Sequence, residues 1–333
     1  MSYVWTIAEQ NKAKLRDVSF ELLSRGRKLA DKLSTKLCSV VFGSGLSDET
    51  LTELIHRGAD EVYVVDDERL NSFIVETHSN VLSRLVMQYK PHTILAAATS
   101  SGRTLMPHVA IKVNTGLTAD CTELEIEEKT NLLLQTRPAI GGNIMATIKT
   151  PDHNPQMATV RPKSSRPLPL DATRQGKIVR LTMENEDYDS RVREVGIRVD
   201  ALGHGSIEEA DVVVAGGKGM KRADNFGMLR ELAGRLGASV GGTRDAVDRG
   251  WLTYPQQIGL SGKTISPKLY ICAGVSGSIQ HLAGIKTAEV IVAINQDPDA
   301  NIFQVADFGI VGNLFEVVPL LNAKLAAYQK EGK

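Results

Sequence analysis

Short apolar runs alternate with helix-like segments along the first third of this chain, and this alternation limits the folds open to it. The runs lie at residues 4–8, 37–42, 62–65 and 93–98, and the residues between them place apolar side chains at helical spacing. Runs this short are typical of buried strands. Strands that alternate with helices form a parallel sheet covered on both faces. The pattern therefore predicts an α/β domain, with Asp17 as a candidate N-cap of its first helix.

Four short strand candidates, separated by turn residues, follow Val113. They lie at residues 123–126, 131–135, 145–148 and 156–160. Strand candidates spaced in this way predict antiparallel hairpins, which we expect at the edge of the parallel sheet.

Residues 161–169 contain three prolines and little apolar surface. Proline removes a backbone donor, so this stretch cannot form a helix or a central strand, and we expect an extended arm. The segment 177–199 has β-rich pieces at its two ends and is expected to complete the first domain.

A second α/β pattern begins near residue 202. Strand candidates lie at residues 212–215, 239–240, 269–273 and 290–294, and helix candidates at 225–236 and 315–328. A chain of 333 residues is long enough for two ordinary domains. We therefore expect domains at 1–200 and 201–333. They would be joined near 200–205, where Gly203 and Gly205 would permit a hinge.

Composition excludes several classes of protein. Lys+Arg and Asp+Glu are both 39, so the chain lacks the positive charge of a general nucleic-acid binder. Its three cysteines are far apart, which argues against a disulfide framework, a zinc site or an iron–sulfur cluster. No signal peptide and no apolar run of about 20 residues is evident, so we expect no membrane span. These features predict a cytoplasmic protein without a metal.

The strongest sign of a binding site is Gly-Val-Ser-Gly-Ser at residues 274–278, between a strand and a helix candidate. Small residues let the backbone approach a phosphate, and a helix's first N–H groups favour an anion. A second glycine-rich loop lies at 216–219 in the same domain. The alternatives are an ordinary tight turn and a nucleophile elbow built on Ser276. Neither loop matches the dinucleotide or P-loop motifs.

Three further polar features could belong to such a site, although each also has a purely structural interpretation. Arg244 follows a short strand candidate and would suit a ligand with negative charge, or it could form a surface ion pair. The glycine-punctuated stretch 257–263 could be a binding loop or a plain connection. His281 could contact a ligand or be a buried histidine satisfied by the protein itself.

Residues 269–284, Leu-Tyr-Ile-Cys-Ala-Gly-Val-Ser-Gly-Ser-Ile-Gln-His-Leu-Ala-Gly, resemble the signature of the α subunit of electron transfer flavoproteins. The resemblance continues through 291–295 and 302–312, and upstream through 214–219 and Thr243-Arg244. It implies a heterodimer with a β subunit and one FAD bound mainly by a Rossmann-like C-terminal domain. The N-terminal α/β domain would then be the docking body for the β subunit.

Carried over position by position, the resemblance implies that the FAD is bound by Lys218, Thr243, Arg244, Gln257, Ile258, Gly259, Leu260, Ser261, Ser276, Gly277, Ser278, Ile279, Gln280, His281, Asn295, Asn313 and Leu314. No residue of the chain is expected to be catalytic, because the flavin carries the chemistry.

The resemblance also implies individual roles. Residues 276–281 would run from the diphosphate to the flavin, with His281 near the pyrimidine oxygen. Arg244 would lie over the isoalloxazine, Ser261 would hydrogen-bond N5, and Asn295, Asn313 and Leu314 would meet the adenosine end. The arginine and the imidazole donor would stabilise the negative charge of the reduced ring.

Four positions depart from common family residues. Thr243 and Ser261 keep the hydroxyl of the Ser and the Thr that they replace. Asn313 replaces an Asp that would contact a ribose, and Lys218 replaces an Arg, which loses bidentate phosphate geometry. Gly277 is expected where the backbone lies closest to the diphosphate, so that a bulky residue there would remove FAD and spare the fold.

Segments 115–122, 137–146, 155–162 and 254–263 are most similar to α subunits from anaerobic, electron-bifurcating systems. In such systems a second FAD in the β subunit takes a hydride from NADH. One electron goes to a ferredoxin or flavodoxin, and the other passes through the α-bound FAD to an acyl-CoA dehydrogenase. The alternatives are a non-bifurcating electron transfer flavoprotein that accepts electrons from acyl-CoA dehydrogenases, a stand-alone flavin-dependent enzyme, and a structural subunit that has lost FAD.

Overall fold

Two parallel sheets organise the chain, one in each of two compact units, Met1–Arg198 and Val199–Lys333. The computed structural model describes residues 3–139, 144–196 and 207–330. The junction at 200–205, where the sequence suggested a hinge, lies outside the described residues.

The described residues of the first unit form four α-helices: α1 (Asp17–Lys32), α2 (Asp48–His56), α3 (Val75–Tyr89) and α4 (Ser100–Lys112). Its strands are β1 (Val4–Ala8), β2 (Gln10–Asn11), β3 (Lys14–Leu15), β4 (Leu37–Gly43), β5 (Glu61–Asp66), β6 (Thr93–Ala97), β7 (Leu117–Cys121), β8 (Glu123–Ile126), β9 (Leu133–Pro138), β10 (Met145–Ile148), β11 (Gln156–Val160) and β12 (Lys177–Leu181).

Seven of these strands form one sheet in the order β12-β5-β4-β1-β6-β11-β7, and every pairing in it is parallel. Apolar clusters cover both faces: one includes residues of α1 and α2, and the other includes residues of α3 and α4. All seven residues of β4 are buried, as the continuous apolar run predicts for a central strand. Each large apolar side chain buried in this way stabilises the fold by about 1.5–3 kcal/mol.

The predictions for residues 113–160 were partly wrong. β11 is not a hairpin strand, because it lies between β6 and β7 and is parallel to both. All five of its residues are buried, including the polar Gln156, as expected for a strand in the interior of a parallel sheet. The strand β7 was not predicted. Only β8, β9 and β10 form the expected antiparallel strands, in a separate three-stranded sheet.

Two smaller expectations concern the first helix and the arm. Arg16, not Asp17, is the N-cap of α1, and Asp17 lies in the first turn, where a negative charge favours the helix dipole. Residues 161–169 contain no helix or strand, as expected. They are held on α1, where Arg25 Nη2 donates to the carbonyls of Thr122 and Ser164 at 2.8 and 2.5 Å.

The second unit contains β13 (Val212–Gly216), α5 (Phe226–Leu236), β14 (Ser239–Gly242), α6 (Arg244–Asp248), β15 (Leu269–Ala273), α7 (Ile279–Leu282), β16 (Val290–Asn295), β17 (Phe308–Val311) and α8 (Leu314–Lys330). The sheet order is β14-β13-β15-β16-β17, all parallel. This corresponds to 2-1-3-4-5, one of the two common orders of open doubly wound sheets. The expected fold class, a parallel α/β unit with added antiparallel strands and a Rossmann-like second unit, is confirmed.

Apolar clusters lie on both faces of this second sheet, and α5 and α8 contribute to one of them. The edge strand β17 was not predicted. All four of its residues are exposed, so its sequence has no buried face that would mark a strand. Along the described residues, the structure has no helix with the length and apolar character that a membrane crossing requires.

All three cysteines are buried with free thiols. Burial raises the pKa of the Cys121 and Cys272 thiols to about 12 and that of Cys38 well above its usual range.

Candidate functional site

A cavity of about 860 Å³ lies at the carboxyl ends of the second sheet's strands. Every strand of this sheet contributes at least one lining residue at or just after its end, including Lys218 after β13, Thr243 after β14, Ser276 after β15, Asn295 at the end of β16 and Asn313 after β17. The chain reverses its direction of winding between β13 and β15, and ligands of doubly wound sheets bind at such a switch point. Topology alone therefore brings together residues that are almost a hundred positions apart.

The two glycine-rich loops after β13 and β15 pack directly on one another. Gly219 N donates to the carbonyl of Gly274 at 3.0 Å. A Cβ added to Gly217 would lie 2.3 Å from that same carbonyl oxygen, closer than any real contact. Glycine is therefore required here for the close approach of the loops themselves, in addition to any approach to a ligand.

Gly277 packs closely against the backbone of Asn301 and Ile302, which precede β17 in the chain. It has a φ of +82°, which side chains rarely adopt, and a Cβ would lie 2.3 Å from Ile302 N. That Ile302 N–H donates to the carbonyl of Ser276 at 3.1 Å. The expectation that a bulky residue at Gly277 would spare the fold is therefore corrected, because such a side chain would displace this backbone segment.

Ser261 reaches the cavity, and Gln257 supports it from the protein side. Gln257 Nε2 donates to Ser261 Oγ at 3.0 Å, and Gln257 itself is buried outside the cavity wall. Tyr254 Oη donates to the carbonyl of Ser261 at 3.3 Å. The serine hydroxyl keeps its own proton free to donate, which suits a ligand with an acceptor atom.

His281 lines the cavity but is almost completely buried. Its Nδ1 lies 3.2 Å from the carbonyl oxygen of Ile258, and its Nε2 lies 2.8 Å from Tyr270 Oη. Burial lowers the pKa of the imidazole to about 4. Both ring nitrogens are thus engaged within the protein, and donation from His281 to a flavin oxygen stays a prediction.

Three cations lie along the cavity wall. Arg244 is paired with Asp248, with Nε 3.2 Å from Oδ2, and both line the cavity. Lys218 and Lys221 follow β13, and Lys221 Nζ lies 5.3 Å from the centre of the Phe315 ring. Asp245, Asp248 and Asp297 line the same cavity, so the charge of its described wall is mixed. The two lysines beside the glycine-rich loops are the part of the wall that suits phosphates.

The two asparagines of the wall use part of their side chains to shape it. Asn295 Nδ2 donates to the carbonyl of Val275 at 2.8 Å, so that it anchors the loop after β15. Asn313 accepts from Phe315 N at 3.1 Å and donates to Glu316 at 2.9 Å, at the start of α8.

The cavity wall contains all of the predicted FAD-binding residues except Gln257 and Ile279. Gln257 is buried and does not line the cavity. The Ile279 side chain is exposed to solvent and does not line the cavity either. The residues that line the cavity without having been predicted as binding residues are Gly219, Lys221, Asp245, Asp248, Gly274, Val275, Gln296, Asp297, Ala300 and Phe315. Of these, Lys221 had a signal in the sequence, since it follows Lys218 by three positions in the loop after β13.

A smaller cavity of about 430 Å³ lies at the carboxyl ends of β1, β4 and β6 in the first unit. The Glu9 carboxylate faces it, pairs with Arg16 and accepts from Thr99 Oγ1 at 2.5 Å beside the start of α4. This cavity has half the volume of the larger one and its described lining lacks the paired glycine-rich loops, so the second unit holds the better candidate site.

The wall of the larger cavity fits FAD. Its volume lies within the range of about 300–1,000 Å³ typical of ligand sites. Thr243 Oγ1 is buried in this wall and has no hydrogen-bond partner in the part of the chain that the structure describes. Buried hydroxyls are normally satisfied, so this atom is suited to a polar ligand atom.

Each of the two units matches a known protein family domain. The electron transfer flavoprotein domain matches residues 4–185, and the electron transfer flavoprotein FAD-binding domain matches residues 206–286. The chain is 48% identical to the electron transfer flavoprotein subunit alpha of Thermoanaerobacterium thermosaccharolyticum, over 96% of each chain. It is 44% identical to the protein FixB of Clostridium saccharobutylicum, over 96% of this chain and 95% of that one.

A third relative has a more specific name. The lactate dehydrogenase (NAD(+),ferredoxin) subunit LctC of Acetobacterium woodii is 39% identical to this chain, over 92% of this chain and 73% of that one. The matches to the family domains and to the full-length relatives agree with the motif 269–284 and with the cavity beside it. The chain belongs to the electron transfer flavoprotein α-subunit family, whose members have an FAD-binding domain and a role in electron transfer.

Proposed function

We propose that the second unit holds one FAD and that the chain, paired with an electron transfer flavoprotein β subunit, passes electrons between a flavin in that subunit and an acyl-CoA dehydrogenase. The observation that carries this proposal is the cavity at the carboxyl ends of the five strands of the second sheet. It is lined by the glycine-rich loops, three cations and Ser261. The bound FAD would supply the redox chemistry, since it accepts and releases electrons singly or in pairs.

The chain's own residues would bind and orient the cofactor. Lys218 and Lys221, beside the loops after β13 and β15, supply positive charge for the diphosphate. Thr243 Oγ1 offers a buried hydroxyl without a partner in the described chain. Ser261, oriented by Gln257, can donate a hydrogen bond to a nitrogen of the flavin ring. Arg244, at the rim, would stabilise negative charge that develops on the ring.

The bifurcating version of this function is the more specific proposal. In it, the β subunit holds a second FAD that is reduced by NADH, and a ferredoxin or flavodoxin receives the low-potential electron. The name of the Acetobacterium woodii relative, which combines NAD(+) with ferredoxin, supports this version. The first unit would serve as the docking body for the β subunit, and a cytoplasmic location stays a prediction.

Flavin content tests the first part of the proposal. The chain is co-expressed with its β subunit and the heterodimer is purified by gel filtration. We expect two FAD per heterodimer by absorbance, one of them lost when the α site is damaged. One FAD in total would favour the non-bifurcating version, and no FAD would contradict the proposal.

Coupled turnover tests the second part. NADH, a ferredoxin, an acyl-CoA dehydrogenase and an enoyl-CoA are mixed with the heterodimer, and ferredoxin reduction is followed by absorbance. We expect reduction of ferredoxin that depends on both the dehydrogenase and the enoyl-CoA. Reduction that proceeds equally well without them, or no reduction at all, would contradict bifurcation.

A further inference from the structure

Tyr270 and His281 form a hydrogen-bonded pair behind the candidate flavin site. Tyr270 lies on the central strand β15 and is fully buried, and His281 lies on α7 with only a small fraction of its surface exposed. The distance from Tyr270 Oη to His281 Nε2 is 2.8 Å. His281 Nδ1 lies 3.2 Å from the carbonyl oxygen of Ile258. A single imidazole thus joins a core strand to the binding loop.

The direction of both hydrogen bonds follows from the chemistry of the partners. The Ile258 carbonyl can only accept, so the proton lies on His281 Nδ1. Burial lowers the pKa of His281 to about 4, so the ring is neutral near pH 7 and Nε2 carries a lone pair. Tyr270 must therefore donate its hydroxyl proton to Nε2. Burial also raises the pKa of Tyr270 well above its usual value, which keeps that proton in place.

The loop that receives the Nδ1–H is also tied to α7 through its main chain. Leu260 N donates to the carbonyl of Gln280 at 2.8 Å, and Ile258 N donates to the carbonyl of Gly242 at 2.9 Å. Residues 258–261 include Ser261, which faces the cavity. The position of the Ile258 carbonyl therefore affects where the Ser261 hydroxyl lies.

We propose that Tyr270 is a positioning residue of the cofactor site. Its hydroxyl holds His281 in the tautomer that is protonated on Nδ1, and the Nδ1–H holds the Ile258 carbonyl and with it the loop 258–261. In the flavin-free chain, both ring nitrogens are therefore engaged within the protein. The part of the proposal that concerns FAD rests on the proposed function, whereas the tautomer of His281 does not.

The tautomer can be measured directly. The heterodimer is labelled with ¹⁵N in its histidine rings, and the His281 signals are assigned by their loss in His281→Asn. In the flavin-free wild type, we expect a protonated Nδ1 and an unprotonated Nε2. A protonated Nε2 in the flavin-free wild type would overturn the proposal, whatever the flavin content.

The variant Tyr270→Phe removes only the hydroxyl. We expect His281 to lose its single tautomer and show exchange with the Nε2–H form. We also expect FAD to dissociate about tenfold more readily, which corresponds to the loss of one buried hydrogen bond. The matched control is Tyr254→Phe, because Tyr254 donates to the same loop at Ser261 but not to the imidazole. It should leave the tautomer unchanged, and an unchanged tautomer in Tyr270→Phe would contradict the proposal.

A second measurement avoids any risk that Tyr270→Phe does not fold. All seven tyrosines of the chain are replaced by 3-fluorotyrosine, whose hydroxyl is a stronger donor. The Nε2 resonance of His281 should move toward the protonated position while its Nδ1 resonance stays. An unmoved Nε2 resonance would mean that Tyr270 does not donate to it. Flavin content, measured separately on the wild type, distinguishes failure of the proposed function from failure of this inference.

Discussion

Arg244 Nε lies 3.2 Å from Asp248 Oδ2, one helical turn away on α6 at the rim of the cavity. The side chains remain 70% and 60% exposed, respectively. Ion pairs this exposed contribute only about 0.2–1 kcal/mol. Arg244 can therefore leave Asp248 at little cost and turn toward a ligand whose negative charge is larger or better placed.

Removing this cation should lower the midpoint potential of the α-bound FAD. In Arg244→Ala the reduced, negatively charged ring loses a stabilising charge, while the neutral oxidised ring loses little. We expect a decrease of about 60 mV for a one-electron step if the interaction is worth one factor of ten. A redox titration measures the change. The control, Asp248→Asn, frees the guanidinium and should keep or raise the potential, so equal potentials in Arg244→Ala and the wild type would remove Arg244 from this role.

Gln257 should act on the flavin through Ser261. The variant Gln257→Leu removes the donor that orients Ser261 Oγ, so it should shift the flavin potential in the same direction as Ser261→Ala but by less. In the double variant the effect of Gln257→Leu should disappear, because the hydroxyl that it orients is absent. Redox titration of all four proteins measures the coupling, and fully additive shifts would show that the two residues act independently.

Gly277→Val should damage the fold as well as the flavin site. Its side chain would meet the Ile302 backbone, and its φ of +82° is strained for valine. Overpacking and strain together predict a loss on the order of 3 kcal/mol in the free energy of unfolding, with loss of the α-site FAD. Chemical denaturation and flavin content measure the two effects.

The control for this variant is Gly234→Ala, since Gly234 lies within α5 with nothing near its added Cβ. It should keep FAD and increase stability by about 0.5–1 kcal/mol. A Gly277→Val heterodimer as stable as the wild type would show that the loop moves away from Ile302 easily.

Glu21 should make the stability of the first unit depend on pH. Burial raises the pKa of this carboxyl to about 7, although Lys163 N donates to it at 2.6 Å. The native state therefore binds the proton more tightly than the unfolded chain, where the pKa is near 4.5. Its contribution is full below about pH 4.5 and is lost as the pH rises to about 7.

The variant Glu21→Gln keeps an acceptor for Lys163 but cannot ionise. We expect it to be more stable than the wild type at pH 8 by about 2–3 kcal/mol and to match it near pH 4. Denaturation curves at both pH values measure the difference. A constant difference between wild type and variant across this range would show that Glu21 does not titrate there.

Most of the second unit could be predicted from the sequence, because its strands are buried runs that end at glycine-rich loops. The parts that could not be predicted depend on contacts between distant residues. β11 contains polar Gln156 and looked like a hairpin strand, yet its partners β6 and β7 are parallel. β17 is exposed and carries no burial pattern. The Tyr270–His281 bond joins residues whose spacing in sequence gives no sign that their side chains meet.

Because the three thiols are buried, their reaction with an alkylating reagent can report unfolding of the region around each of them. Cys38 and Cys121 lie in the first unit and Cys272 lies on β15 of the second, all shielded from solvent. Thiols react as thiolates, and burial raises the pKa of each of these thiols, so a native molecule should resist alkylation. The rate at which Cys272 is alkylated, read by mass spectrometry, then follows the unfolding of the second unit alone, with and without FAD.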